Sequence, residues 1–145
     1  MKLYHGSKNK LDTVERRQAG NPKNLDVPEK ELLNAIYLTP NYGFALACAA
    51  RPNGLTRMDS KNMTIEFGSP ELFDPEEDVY VYEFDIENIP KEKVIYVDDL
   101  QYAVDADELR VSNKFSHKAK DVQEYYEIKE LKENPEEIRQ EFKMR

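Results

Sequence analysis

Residues 78–86 read DVYVYEFDI. Tyr80, Tyr82, Phe84 and Ile86 recur at every second position, and β-branched and aromatic side chains of this kind fill one face of a pleated strand. This is the clearest strand in the chain, so the fold is read outward from it. Downstream, KVIYV (93–97), QYAV (101–104) and ELRV (108–111) follow at short intervals bounded by Asp, Pro or Asn, and read as further strands of one sheet. DVQEYYEIKEL (121–131) fits a last strand or a helix. NPEEIRQEFKMR (134–145) has Asn134 as cap, Pro135 at the first position, acids early and bases late, which predicts a terminal helix.

Upstream, MTIEF (63–67) reads as a short strand within a loop-rich middle segment. AIYLTP (35–40) reads as a strand closed by Thr39-Pro40. Thr39 suits an N-cap and Pro40 the first helical position, predicting a short apolar helix to about Ala50, ended by Arg51-Pro52-Asn53-Gly54. Residues 8–34 are polar around Gly20-Asn21-Pro22 and read as a long loop with one helical turn after Pro28. At the N-terminus, Leu3 and Tyr4 finish a first strand and Gly6-Ser7 open a turn. Strands at both ends with few, early helices predict an α+β domain with a mostly antiparallel, split sheet.

The length of 145 residues suits one domain, spanning 1–145, with a single core. Hydrophobic residues make up 39% of the chain, enough to fold without disulfides or metal. The net charge of −8 argues against holding a duplex by phosphate neutralisation, which needs clustered Lys and Arg. Acidic stretches such as FDPEEDVYVYEFD are expected to be solvated faces. The one cysteine, Cys48, sits in the apolar run FALACAA, where a thiol behaves as a small hydrophobe. No apolar run reaches the roughly 20 residues that cross a bilayer, and no signal-peptide core is visible. The expectation is a soluble cytoplasmic protein without a membrane partner.

The familiar phosphate loops are absent, because the glycines are scattered and neither GxGxxG nor GxxxxGK[ST] occurs. His5 and His117 stand far apart without a cysteine cluster, which gives metal binding no support. Ser7 lies two residues from His5 with no GxSxG elbow, so a serine-hydrolase reading has no support either.

LYHGS (3–7) and AIYLTPNYGFALA (35–47) together resemble two motifs of the ADP-ribosyltransferase superfamily, in its histidine–tyrosine branch that includes poly(ADP-ribose) polymerases and diphtheria-type toxins. The likeness covers these two short motifs, their order and their approximate separation. It implies an ADP-ribosyltransferase-like split sheet and NAD as substrate, with ADP-ribose passing to an unknown macromolecular acceptor, a protein rather than a nucleic acid. In such a site Tyr37 stacks on nicotinamide, Gly6 offers its backbone N–H and C=O to the carboxamide, Ser7 supports that group and His5 bonds a ribose hydroxyl.

A third element of the resemblance is a glutamate at the start of a late strand, which stabilises the oxocarbenium-like charge that develops as nicotinamide leaves. Two positions compete for it. Gln101 precedes Tyr-Ala-Val-Asp, and Glu108 precedes Leu-Arg-Val; the first fits the polymerase pattern better but carries no charge. Ala45 and Cys48 stand where the polymerases have a serine and a second stacking tyrosine, leaving Tyr42 or Phe44 as substitutes out of helical phase. Three alternatives stay open: a catalytically weak NAD-binding or ADP-ribose-binding module of the same fold, an RNA 2′-phosphotransferase, and an acidic protein-interaction domain.

Overall fold

The computed structural model of the protein describes residues 1–18 and 34–131. At its centre the 78–86 stretch forms β7 (Asp78–Asp85), paired antiparallel on one side with β1 (Lys2–Ser7) and on the other with β11 (Asn113–Lys118). Both faces of β7 are covered: Tyr82 and Phe84 enter one apolar cluster, Val79 and Val81 another. Burial on two sides explains why the run is apolar at consecutive positions rather than alternating with charge. The Tyr82 hydroxyl donates to the Asn9 carbonyl and accepts from the Leu11 N–H at 2.8 Å, tying down the chain that leaves β1.

A second sheet has the order β3 (Arg17–Gln18), β4 (Asn34–Leu38), β9 (Gln101–Val104), β8 (Val94–Asp98). Leu3, Tyr82 and Phe84 of the first sheet share a buried cluster with Ile36, Leu38 and Val104 of the second. Among the described residues the backbones of the two sheets are joined by one bridge, in which Tyr4 and Thr39 exchange N–H···O bonds of 2.7 and 2.9 Å. β2 (Thr13–Glu15) and β10 (Glu108–Arg110) make a two-stranded ribbon. β5 (Thr56–Asp59), β6 (Thr64–Phe67) and β12 (Glu127–Glu130) form a third sheet, in which β12 runs parallel to β6.

The one α-helix among the described residues, α1 (Tyr42–Ala50), packs against the Val79/Val81 side of β7. Small residues, Ala45, Ala47, Ala49 and Ala50, let it lie close. A Cβ on Gly6 would stand 1.9 Å from the Ala45 carbonyl oxygen, so the helix backbone itself demands glycine at this point of β1.

The fold is mixed α+β and mostly antiparallel, as expected. Several details differ. Gly6 and Ser7 lie within β1, with His5 before them, rather than opening a turn. The helix is capped by Asn41, whose Oδ1 accepts from the Phe44 N–H at 3.0 Å, and not by Thr39. Thr39 is held in the bridge to Tyr4, and its hydroxyl accepts from the Asn41 N–H at 3.1 Å. β5 and β11 were not expected, and β2 and β3 form within the stretch expected to be loop. Residues 121–131 contain both the end of a 3-10 turn (Ala119–Glu124) and β12.

The carboxylates of the acidic 76–85 stretch largely face solvent, as expected, and most of them are paired. Glu76, Glu77, Asp78 and Asp85 pair with Lys120, Lys8, Lys118 and Lys2 at 3.0, 2.7, 2.6 and 3.3 Å. These pairs are exposed, and each contributes about 0–1 kcal/mol. The expected helices after Pro28 and over 134–145 lie outside the described residues. Among those described, no helix is long and apolar enough to cross a membrane.

Candidate functional site

The candidate residues of β1 and β4 meet where these strands part. Tyr4 and Thr39 bond to each other, and an antiparallel ladder would next join Gly6 to Tyr37. The pairing stops at the bridge instead. In place of the ladder bond, the His5 imidazole reaches across, and its Nδ1 donates to the Tyr37 carbonyl at 3.1 Å. A carbonyl only accepts, so Nδ1 carries the proton. β1 keeps an unbroken register with β7 from Lys2 to Ser7, and strand alternation therefore turns the Gly6 N–H and C=O the same way as those of Tyr4, into the gap beside β4.

His5 is thus joined to the Tyr37 main chain, not to its phenol. Tyr37 sends its ring to the α1 side of β4, where it packs with Ala35, Phe44 and Ala103, with Cys48 and Leu100 partly buried beside them. It is 2% exposed, so the ring face that would stack on nicotinamide is covered by this packing. Phe44, not Tyr42, is the aromatic residue of α1 that joins Tyr37. Tyr42 lies against Tyr4, Phe115, His117 and Tyr125, with ring centroids 5.1, 5.7, 5.7 and 6.3 Å away. Ser7 closes β1, and its hydroxyl accepts from the Asn9 N–H at 3.1 Å, a local turn of ordinary kind.

The two candidates for the third position separate. Tyr37 stands opposite Ala103 in the β4–β9 ladder, which puts Gln101 opposite Thr39 and on the same face as Tyr37. Gln101 is 1% exposed, and its Oε1 has no hydrogen-bond partner. An orphaned buried carbonyl costs about 1–3 kcal/mol. Glu108 is exposed on β10 opposite Glu15, in the separate ribbon. Gln101 therefore sits on the strand next to β4, across from Thr39 and on the Tyr37 face, while Glu108 stands apart in the ribbon.

Cys48 offers no nucleophile, because burial pushes its thiol well above the usual range and the nearby Arg51 offsets this only in part. Among the described residues no cluster of three or more His, Cys, Asp or Glu is placed to hold a metal ion. One network escaped the sequence: Tyr42 Oη lies 2.6 Å from His117 Nε2, and His117 Nδ1 lies 2.9 Å from Asp121 Oδ2. Its only trace in the sequence is the four-residue spacing of His117 and Asp121, which says nothing of Tyr42. No protein-family model, curated protein or solved structure matches the chain.

Proposed function

We propose that this chain is an ADP-ribosyltransferase-like domain that binds NAD at the β1–β4 gap and transfers ADP-ribose to an acceptor with release of nicotinamide. The observation that carries the reading is the interrupted ladder at Gly6. A strand edge that has lost its partner offers one N–H and one C=O side by side, and a primary carboxamide such as that of nicotinamide supplies the complementary pair. His5 stands at the same gap, and the buried, unpartnered Oε1 of Gln101 is an acceptor waiting for a hydroxyl such as that of a ribose. For Tyr37 to stack on the base, the packing between its ring and α1 has to loosen.

A second reading is favoured by one observation. The third position holds an amide instead of a carboxylate, so it accepts a hydroxyl hydrogen bond but adds no negative charge to stabilise an oxocarbenium-like state. The domain is then an NAD-binding or ADP-ribose-binding module with little turnover.

Isothermal titration of NAD into the wild-type chain and Gln101→Met tests the shared part. Binding at or below millimolar NAD that weakens at least tenfold in the variant supports it; a folded wild type that takes up no NAD refutes both readings. Nicotinamide release separates them, and Gln101→Glu is expected to raise turnover where the amide is what limits it.

A further inference from the structure

His117 found no role in the sequence, yet it is the middle of a three-membered chain of side chains contributed by three elements. An ionised carboxylate only accepts, so His117 Nδ1 carries a proton and donates it to Asp121 Oδ2 at 2.9 Å. Nε2 then presents its lone pair and accepts from the Tyr42 hydroxyl at 2.6 Å. The Lys118 backbone N–H donates to the same Asp121 oxygen at 3.2 Å and fixes the carboxylate. The Tyr42 oxygen keeps lone pairs that can accept from one more hydroxyl. This is the order of roles in which a carboxylate orients an imidazole and the imidazole draws a proton from an oxygen.

The surroundings suit that task. Tyr4, Phe115 and Tyr125 pack edge-on or tilted around the Tyr42 ring, which is half-buried and leaves its hydroxyl within reach of a ligand. The charged groups facing the relay are Asp121 itself and Glu83 of β7, while the Lys118 ammonium turns away to Asp78 at 2.6 Å. The relay also adjoins the β1–β4 gap. Tyr42 rests on Tyr4, Tyr4 is bridged to Thr39, and Thr39 stands opposite Gln101, so Gln101 is two strand spacings, about 10 Å, from Tyr4 on the α1 side of the sheet.

We propose that the Tyr42–His117–Asp121 relay takes up the proton of the group that accepts ADP-ribose, and hence that the acceptor is a hydroxyl; this rests on the transfer reading above and narrows its substrate class. The acceptor oxygen forms a bond to C1′ of the nicotinamide ribose as the C1′–N bond breaks, and nicotinamide leaves neutral with the bonding pair. The acceptor proton passes to Tyr42 Oη while the Tyr42 proton passes to His117 Nε2, leaving an imidazolium against the Asp121 carboxylate. A carboxylate or thiolate acceptor has no proton to give up and needs no such relay. Tyr42 touches the acceptor; His117 and Asp121 act through it as positioning residues.

The test uses the full chain, with NAD binding followed by titration calorimetry and nicotinamide release followed from pH 5.5 to 9, with water and a serine-containing peptide as hydroxyl acceptors. In the wild type the rate is expected to rise with pH, as a base-assisted step requires. Asp121→Asn and His117→Gln should bind NAD within about twofold of wild type, release nicotinamide at least 100-fold more slowly and lose that pH limb. Where circular dichroism shows either variant unfolded, Tyr42→Phe, which keeps the ring and its packing, carries the same expectation for the rate and its pH limb. An unchanged pH limb in the variants overturns the proposal, as does a wild type that binds NAD and releases no nicotinamide. A wild type that binds no NAD removes the parent reading, and the relay's role in transfer with it.

Discussion

Replacing Gln101 by methionine separates what the fold wants at this position from what a ligand wants. Gln101 is 1% exposed on β9, and its carbonyl oxygen accepts nothing. Relieving an unsatisfied buried acceptor returns about 1–3 kcal/mol. Methionine keeps the unbranched shape and fills the space without strain. The expectation is a stabilisation of about 1–2 kcal/mol, which in a chain of this length raises Tm by about 3–8 °C. NAD should lift the melting temperature of the wild type more than that of the variant, because the acceptor for the ribose hydroxyl is gone. Thermal melts of both proteins with and without NAD measure the two effects together. A variant that melts lower than wild type refutes the reasoning, since the amide would then be stabilising the fold and its carbonyl would not be held in reserve for a ligand.

Gly6→Ala drives a methyl group into the Ala45 carbonyl, and urea unfolding should show a loss of about 3 kcal/mol or more, beyond ordinary overpacking because the obstacle is helix backbone. Met63 holds a positive φ of 55° at the β5–β6 turn with its side chain 44% exposed, so Met63→Gly should gain about 1 kcal/mol in the same assay. Burial, above all, pushes the phenols of Tyr42 and Tyr126 up to about 12. Because the unfolded chain ionises these groups near 10 while the folded one resists, their effect is absent below pH 10 and stability falls as the pH rises from 10 towards 12. Urea midpoints at pH 9 and pH 11.5 should differ, with the difference reduced in Tyr42→Phe.

Individual strands were legible, but the single sheet expected of them was not: β7 lies in one sheet, β8 and β9 in a second, and β10 in a ribbon with β2. DVYVYEFDI, KVIYV and QYAV appear as β7, β8 and β9 with their ends nearly as expected, because apolar faces there select both strand and register. β11, NKFSHK, was invisible because five of its six residues are exposed, and it owes its place to backbone pairing with β7 and not to burial. The helix start was misread for a tertiary reason, the capture of Thr39 by Tyr4, which local propensity does not register. Of the candidate site, the meeting of the His5 and Tyr37 segments was expected from the resemblance alone, since strand periodicity does not say which strands adjoin. The direction of the Tyr37 ring does not, since it depends on which face α1 covers. Gln101 and Glu108 looked alike as strand openers, and only the partner strands, β4 for one and β2 for the other, told them apart.

The register of β1 also governs how the chain reaches this state during synthesis. Lys2 finds its partner in Asp85, 83 residues later. At about 5–20 residues per second Lys2 waits roughly 4–17 s on the ribosome before its β7 partner exists. Through that interval a short apolar segment carrying an exposed edge travels unpaired, so this domain is one whose yield should respond to translation speed and chaperone supply more than its final stability would suggest.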